Sequence, residues 1–358
     1  MEIIQDDAFE TRKKDHIRCA LSPDAQSLVN EDWDKIFLIP EALPEINLDE
    51  VSLAVESLGQ FWKTPFFVSS MTAGHSDSLK INSVLAEVCE HKEWLLGVGS
   101  QRREIDDPQA YLEWRQLRKT YPKVLLASNI GLTQLISSPI AKIQKLVDHT
   151  EAKALFIHTN PLQECLQMEG TPQFRGGLVA IEKLSKVLSV PIIVKEVGSG
   201  NSTVTIRRLR NMGVAAVDIS GRGGTHWGRV EGLRSPQNSL KAQAAETFKD
   251  WGLSTPKALY AWSQVMGEVE GSPVPPSSLE IWASGGVRNG LQAAKCLALG
   301  AQRVGLAKPF LESAMMGPEA VAQLMALLEY ELKISLFCLG IKELRELKQR
   351  KVWEWEKV

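Results

Sequence analysis

The stretch His158-Thr159-Asn160-Pro161-Leu162-Gln163-Glu164 is the densest polar stretch at the end of any expected strand. A hard cation such as Mg²⁺ takes oxygen ligands, usually one or two carboxylates together with substrate phosphates. Glu164 suits that role, and Glu231 is a second carboxylate able to reach the same space; out of context, Glu164 reads first as an acidic residue at a helix start. Lys195 closes an apolar run, where a buried ammonium is costly without an anionic partner, so it is expected to face the electron-rich edge of a ligand. Arg12-Lys13-Lys14-Asp15-His16 forms a basic cluster that Arg102 and His158 could join as an anion site; a solvated charged arm is the alternative. Gly285-Gly286, Ala307-Lys308 and Gly223-Gly224-Thr225 offer backbone N–H groups and a hydroxyl to a phosphate. Two separate phosphate sites point to a phosphorylated cofactor and a phosphorylated substrate.

Eight short apolar runs must position these groups: 65–71, 94–98, 124–127, 154–157, 191–194, 215–219, 279–283 and 303–306. Between them lie segments of helical period, such as the one carrying Leu79, Val84, Leu85 and Val88. A helix is predicted to begin near Pro108, and another after Ser138-Pro139, a serine cap with proline in the first turn. The runs are apolar on both faces, as in parallel strands covered on both sides. Eight β-then-α units make an α/β fold, the closed (β/α)8 TIM barrel. A doubly wound sheet would carry G-x-G-x-x-G after its first strand, where this chain has Met71-Thr72-Ala73-Gly74-His75. Barrel active sites lie at the C-terminal strand ends. Polar or glycine-rich residues follow nearly every run: 71–74, 99–102, 128–131, 158–160, 195–198, 220–225, 284–288 and 307–309.

Residues 1–60 read as an N-terminal arm with two strands (35–39 and 51–57) packing on the barrel, 61–345 as the barrel, and 346–358 as a C-terminal tail. The polar excursion 229–253 and the Pro/Ser loop 271–278 are lengths of loop that compact domains reserve for lids or binding segments. The chain of 358 residues is 44% hydrophobic and 23% charged, which excludes a disordered chain, a collagen-like repeat and a disulfide scaffold. A net charge of −2 gives no nucleic-acid footprint. No apolar run approaches the roughly 20 residues of a membrane span. The acidic start (Glu2, Asp6, Asp7) is unlike a targeting peptide, so a cytoplasmic protein without nucleic-acid or membrane partners is expected. Cys19, Cys89, Cys165, Cys296 and Cys338 are scattered, without a C-x-x-C pair, and all five read as buried reduced thiols.

These motifs resemble one family, the flavin-dependent type 2 isopentenyl-diphosphate Δ-isomerases. The matching residues are Arg12-Lys13-x-x-His16, Met71-Thr72-Ala73-Gly74, Gly99-Ser100-Gln101-Arg102, Asn129-Ile130-Gly131, and His158-x-Asn160-x-x-Gln163-Glu164 followed by Gln167 and Glu169-Gly170. Val194-Lys195-Glu196-Val197-Gly198, Asp218-x-Ser220-Gly221-x-Gly223-Gly224-Thr225, Ser284-Gly285-Gly286 and Gly305-Leu306-Ala307 complete the set. The later half is shared with other FMN barrels; the basic arm and the His158 stretch are the specific part.

The resemblance implies an FMN-dependent barrel interconverting isopentenyl diphosphate and dimethylallyl diphosphate, active with reduced FMN and Mg²⁺, with NADPH as flavin reductant, in a homo-oligomer (tetramer or octamer). It places Thr72 and the Met71–Ala73 backbone near the flavin N5 edge and Asn129 and Lys195 against the ring. Ser100 and Ser220 also belong to the cofactor set, and Thr225, Gly285, Gly286 and Ala307 hold the phosphate. Arg12, Lys13, His16, Ser100, Arg102, His158 and Asn160 bind the substrate diphosphate, Gln163 lies beside the reacting carbons as substrate-binding and catalytic residue with Lys195, and Glu164 ligates Mg²⁺. The residues show no paired carboxylates beside an apolar isoprene, and Gln163 is a poor acid; reduced FMN as the acid–base group fills that gap. Three positions depart from the family pattern: Ala73 where glycine is usual, and Arg222 and His226 where smaller residues are common. A flavin-phosphate contact, a subunit contact and a surface role are the readings of the last two.

The competing readings are an FMN-dependent 2-hydroxy-acid oxidase, which needs a late histidine base absent after His226, and an inosine-monophosphate dehydrogenase-like enzyme, which needs a cysteine after the sixth run. A non-catalytic flavin-binding barrel would have no use for the basic arm and Gln163-Glu164.

Overall fold

The structure, a computed structural model, describes residues 2–27, 31–74, 77–107, 109–269 and 279–356. Pro108, His75 and the Pro/Ser loop lie outside the described residues. The strands are β1 (Ile36–Leu38), β2 (Val55–Ser57), β3 (Gln60–Trp62), β4 (Phe66–Val68), β5 (Leu95–Gly97), β6 (Leu125–Gly131), β7 (Ala154–Thr159), β8 (Ile192–Glu196), β9 (Ala216–Asp218), β10 (Glu280–Ala283), β11 (Arg303–Leu306) and β12 (Trp353–Trp355). The helices are α1 (Glu2–Leu21), α2 (Ser78–Lys92), α3 (Arg102–Asp106), α4 (Leu112–Thr120), α5 (Leu132–Ser137), α6 (Ile140–Thr150), α7 (Pro161–Leu166), α8 (Gly177–Ser185), α9 (Thr203–Arg210), α10 (Trp227–Arg234), α11 (Leu240–Thr247), α12 (Thr255–Val269), α13 (Gly290–Ala298), α14 (Lys308–Met316) and α15 (Pro318–Cys338).

Strands β4 to β11 pair in parallel in chain order, and β11 closes on β4, giving the eight-stranded barrel that the apolar runs predict. Each expected run coincides with one barrel strand. The register sets His158 opposite Lys195 and Lys195 opposite Asp218, so three polar side chains follow one another around the barrel's upper rim. Phe67, Phe156 and Trp282 fill the barrel interior, their ring centroids 5.0 to 6.1 Å apart. On the outside, α2 buries Ile81, Leu85, Val88 and Cys89, the three- and four-residue steps of a helix with one covered face.

The β2–β3 hairpin seals the N-terminal end of the barrel. Arg303, fully buried there, lies 4.1 Å from the Trp62 ring centroid and 5.2 Å from that of Trp282, and donates to the Phe66 carbonyl at 3.0 Å. Desolvation lowers its pKa to about 9. Glu280 accepts from Ser57 Oγ, the Leu58 N–H and Trp282 Nε1, which ties hairpin to strand. The two strands expected within 35–39 and 51–57 are β1 and β2, and β1 pairs antiparallel with β12. The basic arm is a helix, α1, packed on α10, with His16 edge-on to Trp227 at 5.3 Å. The stretch 229–253 is largely helical, as α10 and α11, rather than a long loop. Ser138 does not cap α6; Pro139 takes the cap position instead. Cys19, Cys89 and Cys296 are buried as expected, but Cys165 and Cys338 are exposed: both sit at helix positions turned away from the core. Among the described residues no helix is long and apolar enough to cross a membrane.

Candidate active site

A cavity of about 400 Å³ opens above the C-terminal ends of the barrel strands. That is within the range of sites for small ligands, about 300–1,000 Å³. Of the site residues that the family resemblance assigns, all but Ala73 line it: Arg12, Lys13, His16, Met71, Thr72, Ser100, Arg102, Asn129, His158, Asn160, Gln163, Glu164, Lys195, Ser220, Thr225, Gly285, Gly286 and Ala307. The Ala73 methyl is instead buried in the hydrophobic core. Arg222 and His226 do not line the cavity either. Arg222 lies 3.9 Å from Asp250, and His226 is a buried cap for α10, its Nδ1 accepting from the Arg229 N–H while Nε2 donates to the Trp251 carbonyl.

One wall is made of backbone. Gly285 (φ 92°) and Gly286 (φ 78°) adopt left-handed conformations, and a Cβ on Gly286 would stand 2.5 Å from the Gly223 carbonyl carbon. Only glycine fits such a close pass of two loops. Among the described residues, the N–H groups of Gly224, Gly285 and Gly286 meet no acceptor, so they are free to hold an anion. Ser220 is a non-glycine residue at φ 42°, held by its N–H to Asp218 Oδ1 at 3.2 Å. The Ser69 and Ser70 hydroxyls, buried in the cavity wall, also lack a protein partner among the described residues. Lys195 is buried, its Nζ 3.0 Å from the Glu196 carbonyl; desolvation lowers its pKa, while Asp218 and Glu196 work the other way. Unpaired N–H groups, unpaired hydroxyls and one ammonium fit the phosphate and polar ring edge of FMN.

The opposite wall is made of long side chains. Arg12 and Lys13 come from α1, and Arg102 opens α3. Desolvation, then Arg12 and Arg102, bring the Lys13 pKa down to about 8; desolvation and Arg102 also lower that of Arg12. Cations crowded together in a desolvated place call for an anion between them. His158 donates from Nδ1 to Asn129 Oδ1 at 2.9 Å, and Asn129 is fixed in turn by Gln101 and the Val98 carbonyl. Desolvation, with Lys195 and Lys13 nearby, drops the His158 pKa to about 3, so the imidazole is neutral.

Between the walls runs a hydrogen-bonded chain. Asn160 Nδ2 donates to both Gln163 Oε1 and Glu164 Oε1 at 3.1 Å. Gln163 Nε2 donates to Glu231 Oε1 at 2.9 Å, which also accepts from His16 Nε2 at 3.0 Å. Arg234 holds the other Glu231 oxygen at 2.6 Å. Despite desolvation, the bonds from His16, Gln163 and Arg234 keep the Glu231 pKa low. Glu231 is thereby committed to α1, α7 and α10 and does not line the cavity. Glu164 Oε2 accepts from the Thr171 N–H at 2.6 Å. Among the described residues no three metal-ligating side chains converge, so the protein alone forms no cage. One carboxylate facing an anion site does fit Mg²⁺, which relies on phosphate oxygens for the rest.

The sequence pointed to neither Gln26 nor Glu113. Glu113 on α4 accepts from the Gly74 N–H at 3.0 Å, Ser78 Oγ at 2.9 Å and Asn82 Nδ2 at 3.3 Å, and Asn82 also reaches the Thr72 carbonyl. It thus holds the loop after β4.

The FMN-dependent dehydrogenase family matches residues 115–354 of the chain. A flavocytochrome b2 variant with sulfite bound superposes with a TM-score of 0.69, at 19% identity over 95% of this chain and 82% of its own. A mandelate oxidase variant gives 0.62, at 15% identity over 94% and 93%. Fold and site therefore define an FMN-dependent TIM-barrel enzyme. Much nearer in sequence are proteins named isopentenyl-diphosphate delta-isomerase. That of Bdellovibrio bacteriovorus is 49% identical over 350 residues (96% of this chain, 97% of that one). Those of Legionella pneumophila strain Paris (96% and 97% covered) and a Nostoc species (95% and 94%) are 48% and 37% identical. The chain belongs to the isopentenyl-diphosphate delta-isomerase family, and is an isomerase.

Proposed function

We propose that this chain interconverts isopentenyl diphosphate and dimethylallyl diphosphate, using reduced FMN and Mg²⁺. The observation that carries the reading is the cavity's two unlike anion-seeking walls: N–H groups at Gly224, Gly285 and Gly286 that meet no acceptor among the described residues, and the crowded cations Arg12, Lys13 and Arg102. The first wall suits the cofactor phosphate, the second the substrate diphosphate.

FMN, when bound and reduced, would supply the acid–base chemistry that exchanges a proton between the terminal alkene carbon and the allylic carbon. Met71, Thr72, Ser100, Asn129, Lys195 and Ser220 would hold its ring; Thr225, Gly285, Gly286 and Ala307 its phosphate. Ala73 would contribute backbone alone, since its methyl is in the core. Arg12, Lys13 and Arg102 bind the diphosphate, and that binding energy orients the apolar end over the ring face. His16 and Glu231 hold Gln163, whose amide thereby keeps one orientation beside the reacting carbons. Glu164 shares Mg²⁺ with the diphosphate oxygens. Neutral His158 and Asn160 complete the anion pocket as hydrogen-bonding groups. NADPH as flavin reductant, a cytoplasmic location and assembly as a tetramer or octamer belong to the same reading.

The test is proton NMR of isopentenyl diphosphate in D₂O with Mg²⁺ and dithionite-reduced FMN under anaerobic conditions. Dimethylallyl diphosphate bearing deuterium in a methyl group, and none with oxidised FMN, is the expected result. No conversion by a folded, flavin-loaded protein overturns the reading. A 2-hydroxy-acid oxidase would instead consume a hydroxy acid with oxygen, but both cavity histidines are committed to other partners, His16 to Glu231 and His158 to Asn129.

A further inference from the structure

The diphosphate-binding groups of α1 lie on a helix outside the barrel, and a helix can roll about its own axis. Its roll decides where the Arg12 and Lys13 heads point. Cys19 packs the helix on Ala25 and Val230, and two side-chain attachments add to that hold. In the middle, His16 reaches Glu231 on α10. At the C-terminal end, the last carbonyls of a helix have no partner within it. There Gln26 Nε2 donates to the Ala20 carbonyl at 2.8 Å and the Ser22 carbonyl at 3.2 Å. Ala20 is one turn beyond His16, on the same face of α1.

The other end of the Gln26 amide faces the cofactor wall. Its Oε1 lies 3.5 Å from Thr225 Oγ1, which donates to it. On either side the backbones are bonded, Ser27 N–H to the Gly224 carbonyl and His226 N–H to the Ala25 carbonyl, each at 2.8 Å. Those two bonds seat residues 25–27 on the loop. The Gln26 side chain adds a direct bond from that segment to the last turn of α1, and it lines the cavity itself.

We infer that Gln26 is a positioning residue for the diphosphate-binding arm, holding the last turn of α1 against the loop that carries Thr225. The inference rests on the function proposed above and adds to it a physical link between the two walls. Gln26 would act through α1 rather than on the reacting atoms, so its contribution goes to ground-state and transition-state binding alike.

The experiment compares the parent chain with Gln26→Met, which keeps the volume and removes the hydrogen bonds, and Gln26→Glu, which keeps an acceptor but loses the donor to the helix carbonyls. Loss of two hydrogen bonds is expected to raise KM for isopentenyl diphosphate about 5- to 30-fold in both variants. For Gln26→Met the expected kcat and FMN affinity stay within about twofold, a split that a general loss of structure does not give. Inorganic pyrophosphate, titrated calorimetrically onto the FMN-loaded proteins, is expected to weaken by the same factor. Unchanged KM and pyrophosphate affinity in Gln26→Met overturns the inference, as does a parallel loss of FMN binding in both variants. If the parent chain does not isomerise the substrate, the proposed function fails, and the pyrophosphate titration still decides the role of Gln26.

Discussion

The two walls of the cavity solve the same problem, holding a phosphorylated group, by opposite means. The cofactor wall is backbone: glycine N–H groups at the ends of barrel strands, in loops pressed so closely together that a Cβ at Gly286 has no room. The substrate wall is side chain: guanidinium and ammonium groups on flexible stems, carried by α1 and α3 outside the barrel frame. A backbone cradle is pre-organised and cannot titrate, which suits a resident group. A cationic wall is adjustable, attracts at longer range, and changes with pH, which suits a group that comes and goes.

The sharpest way to break the comparison is to remove a cation. Lys13→Ala is expected to lower kcat/KM for isopentenyl diphosphate on the order of 10²–10³-fold, as for truncating a desolvated charge pair. FMN affinity, read by quenching of flavin fluorescence, should stay within about twofold. A comparable loss of FMN would mean that the walls are not separate. Next in size is the reciprocal change. Gly286→Ala puts a side chain at φ 78° against Gly223, a strain of about 1–3 kcal/mol. It should weaken FMN roughly 5- to 150-fold, while pyrophosphate affinity of the flavin-free protein changes little.

A smaller effect comes with pH. Before substrate binds, the Lys13 ammonium loses its proton near pH 8, and only the protonated form attracts a diphosphate. Above pH 8, kcat/KM should therefore fall, by up to about tenfold per pH unit, whereas FMN affinity stays level from pH 6 to 9. Lys13→Arg should carry the falling limb beyond pH 9. His158, with a pKa of about 3, should contribute no limb between pH 5 and 8. The smallest effect is expected at Glu113→Gln. The amide keeps an acceptor for the Gly74 N–H but loses one of the bonds to Ser78 or Asn82. A drop in kcat of about three- to tenfold, about the value of one hydrogen bond, with pyrophosphate affinity unchanged, would locate Glu113 on the cofactor side of the comparison.

What could be read from sequence also differs between the walls. Barrel strands announce themselves as apolar runs, and each run ends in the residues that face the cavity, so Lys195, Ser220, Thr225, Gly285 and Gly286 follow from position alone. The arm was legible as charge but not as shape. Nothing local in the sequence turns Arg12 and Lys13 inward; contacts with α10 do so, more than 200 residues away along the chain, as in the His16–Glu231 pair. Gln26 was invisible for the same reason: its partner Thr225 is 199 residues distant. Ala73 was read by its backbone alone, and a motif match does not say which way a side chain points: its methyl turns into the core. The stretch 229–253 read as loop because its polar residues outnumber the few apolar ones, yet α10 and α11 need only narrow faces, with Val230 and Ala245 buried.

Glu196 carries a consequence of another kind. Its Oε2 accepts from the N–H groups of Val197, Gly198, Ser199 and Gly200 in succession. Four amides of a loop that belongs to no helix or sheet thus converge on one buried carboxylate oxygen, with the Gly200 N–H also reaching the Ser220 carbonyl at 3.1 Å. Their protons should resist exchange with solvent deuterium on the timescale of the barrel strands themselves. In an exchange map this loop would then be indistinguishable from the sheet beside it, and Glu196→Ala would turn it into the fastest-labelling part of the rim.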